Sequence, residues 1–338
     1  MAPPFSLPTQ NTFAEESDMK DTEVYAECER IIASLPRNGS WNFDLYQYEG
    51  FWYWPYLIAG TILSKKLFKP KPSHIILGTF PKCGTTWIKA LTLAVATRNQ
   101  YDDSTNPLRH EFSHDCVPFY EHDFIDKVLP PRNLEHPLIS THTSYGSLPK
   151  SVMDSGCKII YTCRDPKDAF VSLWHFWRTL AGVDPPPIED AFELFCNGVS
   201  FCGPYWDHAL GYWNASLERP DKVLFLKFDD MKRDTLLHIK RIAEFMGYPF
   251  SAEEEKEGMV EKIKDLCSFE NLKSLEINKK GDFFPVAAFS VEKQSFFRKG
   301  KVGDWKNHLT PEMAARLDNI MQEKLKGSGL TLAASSHD

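Results

Sequence analysis

The sequence predicts an α/β fold: one domain with a central parallel sheet flanked by helices. Three observations carry this. Short, β-branched apolar runs occur at His74–Phe80, Lys158–Cys163 and Val223–Phe228, and such runs suit strands buried on both faces. Each is followed by apolar residues at helical spacing, over Thr86–Arg98, from about Lys167, and over Met231–Met246. Strands alternating with helices imply a parallel sheet. No internal repeat or linker divides the chain, so the predicted domain runs over 21–331, with flexible tails at 1–20 and 332–338.

The other elements follow in chain order. Glu23–Leu35 places Val24, Cys28, Ile31, Ile32 and Leu35 on one helical face and stops at Pro36. Trp41–Tyr56 holds nine aromatics in 16 positions. These rings either fill the core or line a site for a flat phenol. The apolar run Pro137–Ile139 leads to a strand end near His142. Thr179–Glu189, with Pro185, Pro186 and Pro187, reads as a surface loop. Glu253–Lys264 and Pro311–Lys326 read as amphipathic helices.

Composition narrows the partners. The 338 residues carry 39 Lys and Arg against 46 Asp and Glu, a formal charge of -7. Such a chain repels phosphate overall and is a poor binder of nucleic acid or anionic membrane. Any anion must be held in a local basic pocket. No stretch reaches the roughly 18 apolar residues of a membrane span, and the richest, Phe51–Leu63, contains Pro55. The N-terminal region lacks a basic segment followed by an apolar one. Eight scattered cysteines form no CxxC pair, which argues for free thiols and a cytoplasmic location.

The strongest local signal is Gly78-Thr-Phe-Pro-Lys82-Cys83-Gly84-Thr85-Thr86-Trp87. A glycine turn between a buried strand and a helix aims backbone amides at one point, at the positive end of the helix dipole. Lys82 adds charge, and Thr85 and Thr86 add hydroxyl donors. The lysine precedes the inner glycine, so this is not the GxxxxGK spacing of an ordinary P-loop.

Phe80-Pro-Lys-Cys-Gly-Thr-Thr-Trp87 resembles the 5′-phosphosulfate loop of the cytosolic sulfotransferases, which use 3′-phosphoadenosine-5′-phosphosulfate (PAPS). Ser140-Thr-His142, Cys163-Arg-Asp-Pro-Lys-Asp168 with Ser172, Leu266-Cys-Ser-Phe269, and Phe297-Arg-Lys-Gly-Lys-Val-Gly-Asp-Trp305 follow in the family's order. The resemblance spans roughly residues 45 to 330. Tyr48–Pro55 and Lys326-Gly-Ser-Gly329 look like the plant, flavonol-type branch.

The resemblance implies a P-loop-like phosphosulfate-binding loop and sulfo transfer to a hydroxyl of a small plant metabolite: a flavonoid, phenolic or hormone. It makes His142 the general base, a task that suits imidazole, and puts Lys82 on the leaving phosphate. It puts Thr85 and Thr86 on the 5′-phosphate, with Cys83 and Gly84 in the same cofactor-binding loop, Trp87 near the adenine and Phe228 against the nucleotide. Ser268 and Phe269 reach the adenosine. Arg164, Ser172, Arg298, Lys299 and Gly300 hold the 3′-phosphate. The two arginines lie far apart in the chain, so the expectation is that a shared anion makes them converge. No metal is implied, because the transferred group carries less charge than a phosphoryl group.

Four positions depart from the family pattern. Cys83 replaces serine or threonine, and Phe228 replaces tyrosine. Ser140 replaces the lysine of animal members, and Thr143-Ser144 replaces an aliphatic-proline pair. A monomer is expected, because Lys306-Asn-His-Leu-Thr310-Pro311-Glu-Met-Ala-Ala315 breaks the KxxxTVxxxE motif by which animal members pair. Two other readings remain. One is a P-loop kinase or NTPase, in which Val223–Phe228 with Asp229-Asp230 imitates a metal-binding strand end. The other is a nucleotide or hormone binder without chemistry.

Overall fold

A computed structural model describes residues 18–121, 138–180, 183–286 and 289–332. The tail expected at 1–20 lies largely outside these, but the first helix already begins at Asp18 and runs to Ser34. Residues 333–338 also lie outside, whereas Leu332, expected in the C-terminal tail, is buried.

Strands β1 (Arg37–Asn38), β2 (Leu45–Tyr48) and β3 (Phe51–Tyr53) form a small antiparallel sheet. Its hairpin turns at Glu49 and Gly50, both at positive φ, the geometry that matches strand twist in a two-residue loop. The aromatic-rich segment therefore starts as a ribbon and continues into the helix Pro55–Leu67. The backbone of Trp52 exchanges hydrogen bonds with Cys202 and Gly203, which ties the ribbon to the main body.

The central sheet has four parallel strands: β4 (Ile75–Thr79), β5 (Leu138–Thr141), β6 (Lys158–Cys163) and β7 (Val223–Lys227). Their spatial order is β5-β4-β6-β7. Alternation along the strands splits the core in two. Ile76, Ile159, Tyr161 and Phe225 face one layer, with the helices Pro55–Leu67, Pro166–Trp177 and Tyr205–Glu218. Ile75, Leu77, Ile160 and Leu226 face the other, with Thr85–Thr97, Thr235–Met246 and Met259–Leu266. This is the predicted α/β architecture. A last pair, β8 (Asp282–Val286) and β9 (Phe289–Glu292), is antiparallel.

Two predicted helices are divided. Met231–Met246 is Phe228–Arg233 followed by Thr235–Met246, because the Asp234 carboxylate accepts from the Leu237 amide and starts a new helix. Glu253–Lys264 is Ala252–Lys256 followed by Met259–Leu266, separated at Gly258 with φ +71°. Among the described residues no helix is long and apolar enough to cross a membrane.

Candidate active site

The carboxyl ends of the parallel strands converge on one cavity of about 490 Å³. Ligands in open α/β sheets bind at this edge. Every predicted site residue except Cys83 lines the cavity: Lys82, Gly84, Thr85, Thr86 and Trp87 from the loop, then His142, Arg164, Ser172 and Phe228, then Ser268, Phe269, Arg298, Lys299 and Gly300.

The loop leaves β4 at Thr79 and enters the helix Thr85–Thr97 through Gly84. Gly84 has φ +97°, and a Cβ there would lie 2.8 Å from the Phe228 ring. Only glycine fits both the conformation and the close approach. Lys82 is also left-handed, with φ 68°, an uncommon strain for a side chain of its size. The amides of Gly84 to Trp87 precede the first intrahelical bond, from Ile88 to the Gly84 carbonyl. They are the donors an anion would take.

Lys82 points into the cavity, its ammonium 3.8 Å from the Phe176 ring centroid and 5.3 Å from that of Phe296. Burial, with Arg298 and Arg164 nearby, pushes its pKa down to about 7. A cation so disfavoured gains from an incoming phosphate.

Cys83 does not reach the anion position. Its amide donates to Phe80, and the thiol is fully buried in the core. Burial pushes that thiol up to about 12. The turn at Lys82 sends the next side chain inward, so the expected weak phosphate donor is a packing residue. All eight cysteines are free and buried.

His142 follows β5. Its Nδ1 lies 2.7 Å from the Thr79 carbonyl oxygen. A carbonyl only accepts, so Nδ1 carries the proton and the Nε2 lone pair is the basic atom. Phe119 packs on the ring at 4.7 Å. The His142 amide donates to the buried Glu121 carboxylate at 3.1 Å, and its carbonyl accepts from His208 Nε2 at 3.1 Å.

The predicted 3′-phosphate residues meet on one wall, but protein groups bring them there. Arg164 pairs with Asp168 at 3.2 Å, and Arg298 and Lys299 each reach Asp304 at 2.6 Å. A shared anion is therefore not needed for convergence. Among the described residues each arginine still keeps a buried Nε without a hydrogen-bond partner. Orphaned donors on two arginines lining one cavity fit a bidentate anion. Trp87 and Phe228 meet edge to face at 5.4 Å, a rim suited to a purine. Ser268 also caps the helix Phe269–Ser274.

Four loop segments, 41–63, 112–130, 179–190 and 280–296, contribute wall through their described residues. Trp54 and Tyr56 come from the aromatic segment, while Tyr53 is core. His114, Phe119, Leu180 and Phe296 come from the other three. The part of the second loop beyond Glu121 lies outside the described residues.

A sulfotransferase domain family model matches residues 72–329. Flavonol 3-sulfotransferase of Flaveria bidentis is 46% identical over 310 residues, spanning 90% of this chain and 99% of that protein. The chain belongs to the sulfotransferase family. Cytosolic sulfotransferase 17 of Arabidopsis thaliana is also 46% identical, over 94% of this chain and 92% of its own. A solved Arabidopsis thaliana sulphotransferase superposes with TM-score 0.70 at 35% identity, over 96% of this chain and 100% of its own. A mouse sulfotransferase complexed with PAP, adenosine 3′,5′-bisphosphate, has TM-score 0.64 at 26% identity, over 84% and 95%.

This enzyme is a transferase of the sulfotransferase class, so the kinase and simple-binder readings fall away. Asp229, the metal ligand of the kinase reading, instead accepts the Asp165 amide at 3.1 Å and joins two strand ends. Sequence reasoning missed Lys89, His114, Glu121 and His208. His114, Glu121 and His208 each bear on a site residue from another element, Lys89 reaches Thr86 of its own helix through His114, and no spacing rule announces such meetings.

Proposed function

We propose that this sulfotransferase moves the sulfo group of PAPS to a hydroxyl of a small plant flavonoid, phenolic or hormone by in-line transfer. The observation that carries the reading is one cavity lined both by the residues of a candidate anion cradle and by a set of aromatic side chains. His142 and Lys82 line that same cavity. Trp54, Phe119, Phe176, Trp177, Phe201 and Phe296 suit a flat acceptor. A 46% identical relative is named for flavonols, which supports an acceptor of that kind.

Nε2 of His142 takes the proton of the acceptor hydroxyl as its oxygen attacks sulfur. The bond from sulfur to the bridging phosphate oxygen breaks, and Lys82 stabilises the charge left there. The products are a sulfate ester and PAP. Thr85, Thr86 and the loop amides hold the 5′ end. Arg164, Ser172, Arg298, Lys299 and Gly300 hold the 3′-phosphate. The sulfo group needs little charge neutralisation, so no metal is assigned a role. We further propose that the enzyme acts in the cytoplasm as a single-domain monomer, reaching from the helix that begins at Asp18 to the buried Leu332. Thr310 caps, and Pro311 opens, the helix Pro311–Lys324 where animal members pair. Sedimentation at twice 38.8 kDa would refute the monomer.

The test is a radiolabelled-PAPS assay against a plant metabolite extract, with the labelled product identified by mass. Labelled sulfate esters formed by wild type and not by His142→Ala are expected. No label transfer to any phenol or alcohol would overturn the proposal.

A further inference from the structure

We infer that Lys89 and His114 set the direction of the Thr86 hydroxyl and commit it as a donor to the anion in the loop. Lys89 lies one turn beyond Thr85 and is fully buried. Its ammonium sits 3.5 Å from the Phe119 ring centroid and 3.1 Å from His114 Nδ1. His114 lies in the short helix Ser113–Cys116 and is 4% exposed. Its other nitrogen, Nε2, is 3.1 Å from Thr86 Oγ1.

The directions follow from proton count. An ammonium has three protons and no lone pair. Nδ1 must therefore accept, which leaves the imidazole proton on Nε2. Nε2 then donates to Thr86 Oγ1, and that oxygen uses a lone pair. The single hydroxyl proton of Thr86 is not spent on His114 and turns the other way. Thr86 lines the cavity, so the proton serves whatever oxygen sits there.

Thr85 makes a useful contrast. Its hydroxyl pairs with Thr79 Oγ1 at 2.8 Å, inside the wall, where either oxygen can donate. Only Thr86 has a partner whose own partner is a cation. A hydroxyl free to rotate must be ordered when its ligand arrives, and the relay removes that cost beforehand. Hydrogen bonds in a chain also polarise one another, and the buried ammonium lies at the donor end. Lys89 and His114 are thus positioning residues that act through Thr86.

This rests on the reading that the loop holds the 5′ end of PAPS, and the test separates the two. Calorimetry gives PAP affinity for wild type, Lys89→Met, His114→Phe, His114→Gln, Thr86→Val and the Lys89→Met/Thr86→Val double variant. Lys89→Met and His114→Phe are expected to weaken PAP about tenfold, one charge-assisted hydrogen bond's worth. In the Thr86→Val background Lys89→Met should add nothing. His114→Gln should restore affinity, because its amide accepts from Lys89 and donates to Thr86. Nitrogen-15 NMR of the histidines should find His114 neutral with its proton on Nε2.

Additive losses in the double variant, or a proton on Nδ1, would overturn the relay. Should Lys89→Met fail to fold, the glutamine-phenylalanine pair and the NMR decide. Should wild type bind no PAP, the loop reading fails, and the NMR still decides the relay.

Discussion

The carboxylate of Asp168 accepts the Gly303 amide at 2.7 Å, with its second oxygen 3.0 Å from the Trp305 amide. Asp168 is fully buried and also pairs with Arg164. One side chain thus fastens the segment carrying Arg298, Lys299 and Gly300 to the helix that follows β6. The wall proposed for the 3′-phosphate is held together by the protein's own contacts.

Asp168→Asn should destabilise the protein by about 3–5 kcal/mol, the cost of breaking a buried charge pair from one side. The amide nitrogen would also face a backbone donor. Chemical denaturation measures the loss, and PAP affinity should fall with it. Wild-type stability in this variant would make the fastening dispensable.

Arg298→Ala should weaken PAP by about ten- to a hundredfold, since each bond to a charged group contributes roughly 1.5–3 kcal/mol. It should barely change affinity for adenosine 5′-phosphosulfate, which lacks the 3′-phosphate. Arg164 is better tested as Arg164→Lys, because alanine would strand Asp168. Calorimetry against both nucleotides completes the cycle. Equal losses for the two ligands would make the arginines structural.

His142→Ala should lower turnover by about 10²–10⁴, the usual span for a lost general base. PAP affinity should stay unchanged. A variant keeping a third of its rate would remove His142 from proton transfer.

PAP binding should take up a proton above pH 7. Free Lys82 loses its proton through about pH 7, and a bound phosphate favours the charged form. The bound-state pKa is therefore the higher one, and affinity falls as pH rises between the two values. Titrations at pH 8 in buffers of different ionisation heat measure the uptake. Lys82→Arg should abolish it, because arginine stays charged.

Cys83→Ser should remain active, since the thiol is core rather than ligand. Iodoacetamide should leave Cys83 of the native enzyme unmodified, in contrast to an exposed thiol. Peptide mapping after alkylation checks this.

The strands were legible because both faces of a parallel sheet are apolar, and Ile75–Thr79 and Lys158–Cys163 leave no other place to go. The loop was legible because backbone strain at Gly84 admits one residue type. The break at Asp234 was not, since a capping carboxylate looks like any surface acid in the sequence. Neither was the inward turn of Cys83, which follows from the left-handed φ of its neighbour. Lys89 looks like a helix surface residue in one dimension; its burial is set by His114 and Phe119 from a distant loop.

The placement of Lys82 between Phe176 and Phe296 bears on how the site empties. A cation abandoned by a departing bisphosphate would ordinarily hold the product back. Here two ring faces receive it within the same chamber. In the proposed reaction the lysine has a berth in either state, which leaves the arginine wall to hold the departing nucleotide. On that proposal the two ends of one product are held by different rules, a firm grip at the 3′ side and a yielding one where the bond was broken.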